Sequence, residues 1–334
     1  MFITAKRKEG KMMKRIIFLV LLMLFTVCLP SYGSQLEFIS IVTGQLGGGV
    51  YNAGLALATA ANASQDRYMV EALPTSGQVE NANLLFDGDT EIAVLGTDIH
   101  MEFYYGLSRF EGREWKGLRS MFPLYTSCVY FAAPKNSSIL TWEDMKGKRI
   151  GVGNPGSSAY SLIKNILAAH GLNEGDYSES TISPADLPAA IKDGHVDVFA
   201  AFTTPNSPFV VELTTVMDVN FIDVRPEMWN PYAEANRLPF ILGVEPAGTY
   251  RGQDVDVAIL NGINYISTSE SVPEEMIYEF TKAFFSNYDM AVDMVVAIGE
   301  VKVLLPIAEP ITPYHPGAER YLKEAGFAYV PYRQ

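Results

Sequence analysis

The sequence predicts an α/β chain built as two lobes. Short β-rich runs alternate with longer helical patterns, about 300 residues follow an N-terminal leader, and strand ends repeatedly give way to small or hydroxyl residues and then a helix. Single cores stop growing near ~250–300 residues, so two lobes are expected over one core.

The leader comes first. Lys11, Lys14 and Arg15 precede an apolar run from Ile16 to Leu29, followed by Pro30, Ser31, Tyr32 and Gly33. This is the three-part pattern of a signal peptide over residues 1–33, with cleavage expected after Gly33 and export to the periplasm. The run is shorter than the ~20 residues that a membrane-spanning helix needs. Cys28 is where a lipid-anchored chain would carry its cysteine, but Val27 stands where a small residue is expected.

The first part of lobe 1 is expected over 34–125. It opens with a strand at 36–43, a loop at 44–49 and a helix at 50–63. A second unit follows, with a strand at 68–72, a turn at 74–78 and a helix at 79–86, and then a buried strand at 92–95. The β-rich stretch 121–133 ends in Ala133-Pro134-Lys135-Asn136 and reads as the first crossing between lobes. Lobe 2 is expected over 126–225, with a helical segment at 141–146, a strand at 149–152, helices at 158–170 and 186–193, and a strand at 196–202. The chain then returns to lobe 1 over 226–334, the crossing falling between Asp223 and Tyr265. Amphipathic helices at 274–287 and 315–325 pack back on that lobe. The alternation predicts largely parallel sheets.

Removing residues 1–33 leaves 19 Lys and Arg against 37 Asp and Glu, a formal charge of −18. Such a chain repels nucleic acid and anionic membrane surfaces. Only Cys128 remains of the two cysteines, so no internal disulfide forms.

Three loops share one design, at 43–49, 75–78 and 154–158: a strand ends, small or hydroxyl residues follow, and a helix begins. A helix start offers unpaired N–H groups and about half a positive charge, which suits carboxylate or phosphate. Thr43, Thr75, Ser76, Ser157 and Ser158 could add hydroxyl donors. Glycine and serine also serve as plain turn and N-cap residues, so each loop alone has an ordinary structural reading. Asp98, after Thr97 at a strand end, could orient a ligand amine or cap the helix that follows. No arginine lies in these loops to clamp a carboxylate.

Enzyme signatures are missing. There is no P-loop and no G-x-S-x-G elbow, and His100, His170, His195 and His315 lack the spacing of a zinc motif. No catalytic residue, metal or cofactor is assigned.

Five runs taken in order, TGQLGGGVY (43–51), SGQVENANLL (76–85), GKRIGVGNPGS (147–157), AGTYRGQD (247–254) and HPGAERYLKEAG (315–326), resemble the TAXI family, the periplasmic receptors of TRAP-type transporters, over nearly the whole chain after the leader. The resemblance implies a periplasmic binding protein fold of type II-like form, hinged, with a ligand cleft between the lobes. It implies a small organic anion as ligand, of the glutamate, dicarboxylate or 2-oxo acid class, and integral-membrane TRAP permease subunits as partners of a monomer. Carried over by position, Thr43, Gly47, Gly48 and Tyr51 match the first ligand loop, and Ser76, Gly77, Gln78 and Val79 the second. Gly156 and Ser157 match the loop of the other lobe, and Thr203 and Thr204 a further cleft edge. The chain departs from the family at Gln45, at Gly96, which precedes Thr97 and Asp98, and at Ser158, Ala159 and Tyr160, so the pocket wall differs. The alternatives from other classes are an exported sensory ligand-binding module and an enzyme on the same scaffold.

Overall fold

The structure is a computed structural model that describes residues 37–46, 48–64, 67–155, 157–183 and 185–333. The expected signal peptide, Gly47 and Gly156 lie outside the described residues.

The first units follow the local pattern closely. Strand β1 (Glu37–Val42) leads into helix α1 (Gly49–Asn62), β2 (Tyr68–Leu73) into α2 (Gln78–Asp87), and β3 (Ile92–Gly96) into α3 (Thr97–Tyr105). In α1 the small residues Ala53, Gly54, Ala56, Ala60 and Ala61 are buried, so the helix lies close on the sheet. At Gly54 a Cβ would collide with the Thr43 methyl, which explains the glycine. All of β3 is buried, as an apolar run in the middle of a sheet should be.

A 17-residue strand, β4 (Leu118–Pro134), then carries the chain onward. It is followed by β5 (Arg149–Gly151), α4 (Ser158–Ala169), β6 (Ser178–Ser180), α5 (Leu187–Lys192), β7 (Phe199–Thr203), α6 (Pro208–Val216), β8 (Val219–Phe221), α7 (Pro226–Asn236) and β9 (Ile241–Glu245). The chain returns along β10 (Val257–Ser269) and ends in α8 (Glu274–Ser286), α9 (Tyr288–Met294), α10 (Val301–Leu304) and α11 (Pro316–Glu324).

The main sheet runs β2-β1-β3-β10-β4-β7, with β8 beside β4 and β9 beside β10. It is mixed, which corrects the expectation of largely parallel sheets. β1 and β3 are parallel, but β10 is antiparallel to β3, β4 and β9, and β4 is antiparallel to β7 and β8. The reason is that β10 arrives from far along the chain and inserts between β3 and β4, where local alternation gives no sign of it.

The two long strands carry two cores. Met121, Phe122, Leu124 and Tyr125 of β4 and Ile266 of β10 pack with α1, α8, α9 and α11. Val129 and Phe131 of β4 and Leu260 of β10 pack instead with Trp142, α4 and Trp229. Phe122 stacks on Phe284 at 5.1 Å between centroids, and burying each such ring contributes roughly 1.5–3 kcal/mol. The partners of β10 change along its length in the same way: 264–268 pair with β3 and 257–261 with β9. Register shifts fall between Asn264 and Tyr265 and between Ile266 and Ser267. Trp229, Ala233 and Phe240 lie in the second core, and β10 carries the chain from Leu260 in that core to Ile266 in the first. The helical segment expected at 141–146 is a 3-10 turn, Glu143–Met145, with Asp144 accepting from the amide and hydroxyl of Thr141.

Candidate ligand cleft

Several expected donors are already used by the fold. Thr43 is fully buried, and its hydroxyl and amide both donate to the Leu73 carbonyl, tying the end of β1 to the end of β2. Thr75 donates its hydroxyl to Asn81 Oδ1 at 2.6 Å, and Asn81 Nδ2 donates to the carbonyls of Thr43 and Val94. Asn81, buried at the centre of this knot, was not singled out by sequence reasoning. Ser76 gives both its amide (2.7 Å) and its hydroxyl (2.5 Å) to Glu80, whose carboxyl these bonds hold below its ordinary pKa. The hydroxyl protons of Thr43 and Ser76 are thus already donated within the fold, that of Thr43 to the end of β2 and that of Ser76 to Glu80.

What the first lobe leaves open is backbone. The N-caps of α1, α2 and α3 are Gly48, Gly77 and Gly96, and none carries a side-chain cap. Gly77 has φ +146°, a conformation that L side chains rarely adopt, so no larger residue could cap α2 without strain. Tyr51 and Val79 are half-buried in the first turns of α1 and α2.

Gln78 reaches across the sheet instead. Its Nε2 donates to Asn264 Oδ1 at 3.0 Å, and its Oε1 accepts from the Gly96 amide at 2.6 Å. Asn264 Nδ2 donates in turn to Ser127 Oγ at 2.8 Å. This network joins α2, β3, β10 and β4 where the long strands pass from one core to the other. Nearby in sequence, the hydroxyl of buried Tyr125 has no hydrogen-bond partner among the described residues. Asn264 and Ser127 were also missed by sequence reasoning; the two asparagines, Asn261 and Asn264, inside the otherwise apolar run 257–266 were the available signal.

In the second lobe Ser157 is an ordinary cap of α4, accepting from the Tyr160 amide at 3.1 Å and donating to the Asn154 carbonyl at 2.8 Å. Ser158 is buried, with Oγ unpartnered among the described residues. Thr203 pairs with Cys128 across β7 and β4, and Thr203 and Thr204 are half-buried.

The clearest meeting of the two lobes is a cavity of about 300 Å3 lined by Asp98, Glu102 and Ser108 on one side and by Ser161, Asn165 and Arg237 on the other. Asp98 is buried; Oδ2 accepts from Arg109 Nη2 at 3.0 Å, and Oδ1 has no partner among the described residues. Arg109 also forks onto Glu102 at 2.6 and 2.8 Å. Burial pushes the Glu102 carboxyl up, with Arg109 working against it. Two carboxylates thus share one guanidinium, leaving a negative wall. Opposite, Asn165 Oδ1 accepts from Tyr232, so its amide N–H groups remain, and Arg237 is exposed with no ion pair among the described residues. An arginine, absent from the three loops, thus stands on this cavity wall at the end of α7. Of the residues singled out from sequence, Asp98 lines this cavity, while Thr43, Ser76, Thr203 and Thr204 do not.

Among the described residues no group of three His, Cys, Asp or Glu could hold a metal ion, and no helix is long and apolar enough to cross a membrane. Cys128 is buried and unpaired, and burial pushes its thiol up to about 12.

Among solved structures, the chain is similar to the periplasmic aliphatic sulphonate binding protein of Escherichia coli (16% identity, 88% of this chain and 84% of that one, TM-score 0.46). It is also similar to a TctC solute binding protein from Polaromonas (15% identity, 90% and 91%, TM-score 0.48). A curated relative, a putative aliphatic sulfonates-binding protein of Escherichia coli K12, is 32% identical over 115 residues, which is 33% of this chain. The match spans about a third of that relative's own length, 35%. A family model covers far more, residues 41–326, which take in most of both cores, the open helix starts and the cavity with Asp98 and Arg237, and on that match the chain belongs to the NMT1-like family.

Proposed function

We propose that the protein is an exported periplasmic receptor that captures a small organic anion between its lobes and passes it to a membrane transporter. The observation that carries the proposal is the cavity that sets Arg237, free of any ion pair among the described residues, on one wall and the carboxylates of Asp98 and Glu102, which share Arg109, on the other. A ligand with an acid group for Arg237 and an amine for Asp98 satisfies both walls. Within the anion class this favours an amino dicarboxylate such as glutamate over a 2-oxo acid, which brings no cation to the wall of Asp98 and Glu102. The glycine-capped helix starts at Gly48, Gly77 and Gly96–Thr97 support the same reading, since open N–H groups attract an acid group. Tyr51, Gln78, Val79, Gly156, Ser157, Ser158, Thr203 and Thr204 complete the proposed surroundings of the cleft. The five ordered motif runs favour the TAXI type, and with it a TRAP permease as partner.

A second reading is an aliphatic sulfonate, favoured by the name of the Escherichia coli relative. Thermal-shift measurement with L-glutamate, succinate, 2-oxoglutarate, taurine and butanesulfonate separates the two. The proposal expects glutamate to raise the melting temperature most and to be recovered unchanged. A rise with the sulfonates alone establishes the second reading, and no rise with any of the five refutes the receptor proposal.

A further inference from the structure

Strand β4 passes from the first core to the second between Tyr125 and Val129, and its neighbours change over the same residues. On one side it pairs with β10, but the register slips there: Asn264 lies opposite Tyr125 and Tyr265 opposite Pro123, so Leu124 is the extra residue of a bulge. A bulge bends the strand that carries it and interrupts the ladder. On the other side β7 pairs with β4 from Cys128 to Ala132 and ends at Thr203, short of Thr126.

A carboxylate takes the place of the missing strand. Glu300 Oε2 accepts from the Thr126 amide at 2.9 Å. Glu300 ends the 3-10 turn Val296–Glu300 between α9 and α10, and Ile298 and Val301 on either side of it are buried in the first core. The Tyr288 hydroxyl, donating to the Ile298 carbonyl at 2.8 Å, holds the turn further. Glu300 makes no ion pair among the described residues, so its carboxylate is not drawn elsewhere by a cation. Hydrogen bonds to an ionised acceptor are the stronger kind. From the β10 side Asn264 Nδ2 donates to Ser127 Oγ at 2.8 Å. The crossing is thus gripped on both flanks, and the grip of Glu300 comes from the first lobe.

We propose that Glu300 is the positioning residue of the hinge: it pins β4 at Thr126 to the first lobe, so that the strand bends beyond Thr126 and the lobes keep one resting separation. Hinges concentrate a domain motion in a few backbone angles, and a strand released at Thr126 would spread that motion back into the bulge at Leu124. The use of such a pin rests on the receptor reading, since a protein that closes on its ligand needs a fixed pivot. The pin itself is measured without ligand.

The test follows the full chain in the ligand-free state. Spin labels at Leu55→Cys on α1 and Asn230→Cys on α7, both exposed, report the distance between the lobes by double electron-electron resonance, and buried Cys128 stays unlabelled. Hydrogen exchange of the Thr126 amide reports the bond. Glu300→Ala removes the acceptor, Glu300→Asp keeps the charge but shortens its reach, and Glu300→Gln keeps the reach and an acceptor oxygen. In the Ala and Asp variants Thr126 is expected to exchange about tenfold faster than in wild type, with a broader distance distribution. Glu300→Gln should stay close to wild type in both, and the amides of Val94 and Ile166, one in each lobe, should be unchanged throughout. A distribution as narrow as that of wild type in the Ala and Asp variants overturns the proposal. So does broadening in Glu300→Gln equal to that in Glu300→Asp, or exchange that rises at Val94 and Ile166 together with Thr126. Failure of every anion to bind would count against the receptor reading and would leave these ligand-free results unaltered.

Discussion

Asn264 holds its place by accepting from Gln78 and donating to Ser127, and through Gln78 it also fixes the Gly96 amide. Replacing it with Leu strands a buried donor and a buried acceptor at once, so Asn264→Leu is expected to lower stability by about 2–4 kcal/mol. Urea denaturation measures this. The histidines give a second expectation at this scale. His100 is fully buried against Ser267 and held neutral, its pKa brought down to about 3 by burial. Burial also lowers His170, which stacks on Trp142 at 3.9 Å and accepts from the Arg225 amide, and His315, which caps α11. Each folded pKa lies below the unfolded value near ~6.5, so below that pH the unfolded chain binds more protons. Stability should be intact above pH ~6.5 and fall as pH drops from there, for His100 down to about 3 with a slope of up to ~1.4 kcal/mol per pH unit, His170 and His315 adding to the loss in the same direction. Denaturant midpoints at pH 7.5, 6, 5 and 4 in His100→Asn and wild type test the sign: the loss between pH 6 and pH 4 should be smaller in the variant.

Helix starts are the unit that matters at the next scale. Lobe 1 leaves α1, α2 and α3 without side-chain caps, whereas α4 and α6 are capped by Ser157 and Ser207. Gly48 sits in extended backbone at φ −74°, so an Asp there can fold its carboxylate onto the first turn of α1. Gly48→Asp is expected to keep the fold by circular dichroism and to weaken anion binding more than tenfold, because the site then holds its own anion. Unchanged affinity would remove α1 from the cleft. The same elements show what the sequence could disclose. The units through β3, and α4, α8 and α11, were legible because apolar period and turn residues are local signals. β10 was not, since its neighbours β3 and β4 lie more than 120 residues earlier, and nothing in its own apolar run states that it will separate them. Asp98 was legible as a carboxylate at a strand end. Arg237 was not, because only the folding of α7 onto the second core brings it to the cavity wall.

Across the whole molecule, β4 and β10 each belong to both cores, and the cavity with Asp98 and Arg237 is walled by α3, whose Ile99 and Phe103 pack in a further cluster with Val42 and Leu95, and by the end of α7 on the second core. Two long antiparallel strands with register shifts at their midpoint can flex there while each core stays packed, which is the hinge form of domain motion. Closure on a ligand should therefore shrink the molecule without unfolding either lobe. Small-angle scattering with saturating ligand is expected to give a smaller radius of gyration than without it, and the same radius in both conditions would contradict a closing cleft. The central claim, that the protein holds a small organic anion between its lobes, is tested most directly by calorimetric titration of L-glutamate into wild type and Arg237→Ala. Saturable heat at one ligand per chain, with affinity at least tenfold lower in the variant, is the predicted result. Absence of saturable heat in wild type from glutamate and from every other dicarboxylate, amino acid or 2-oxo acid would contradict it.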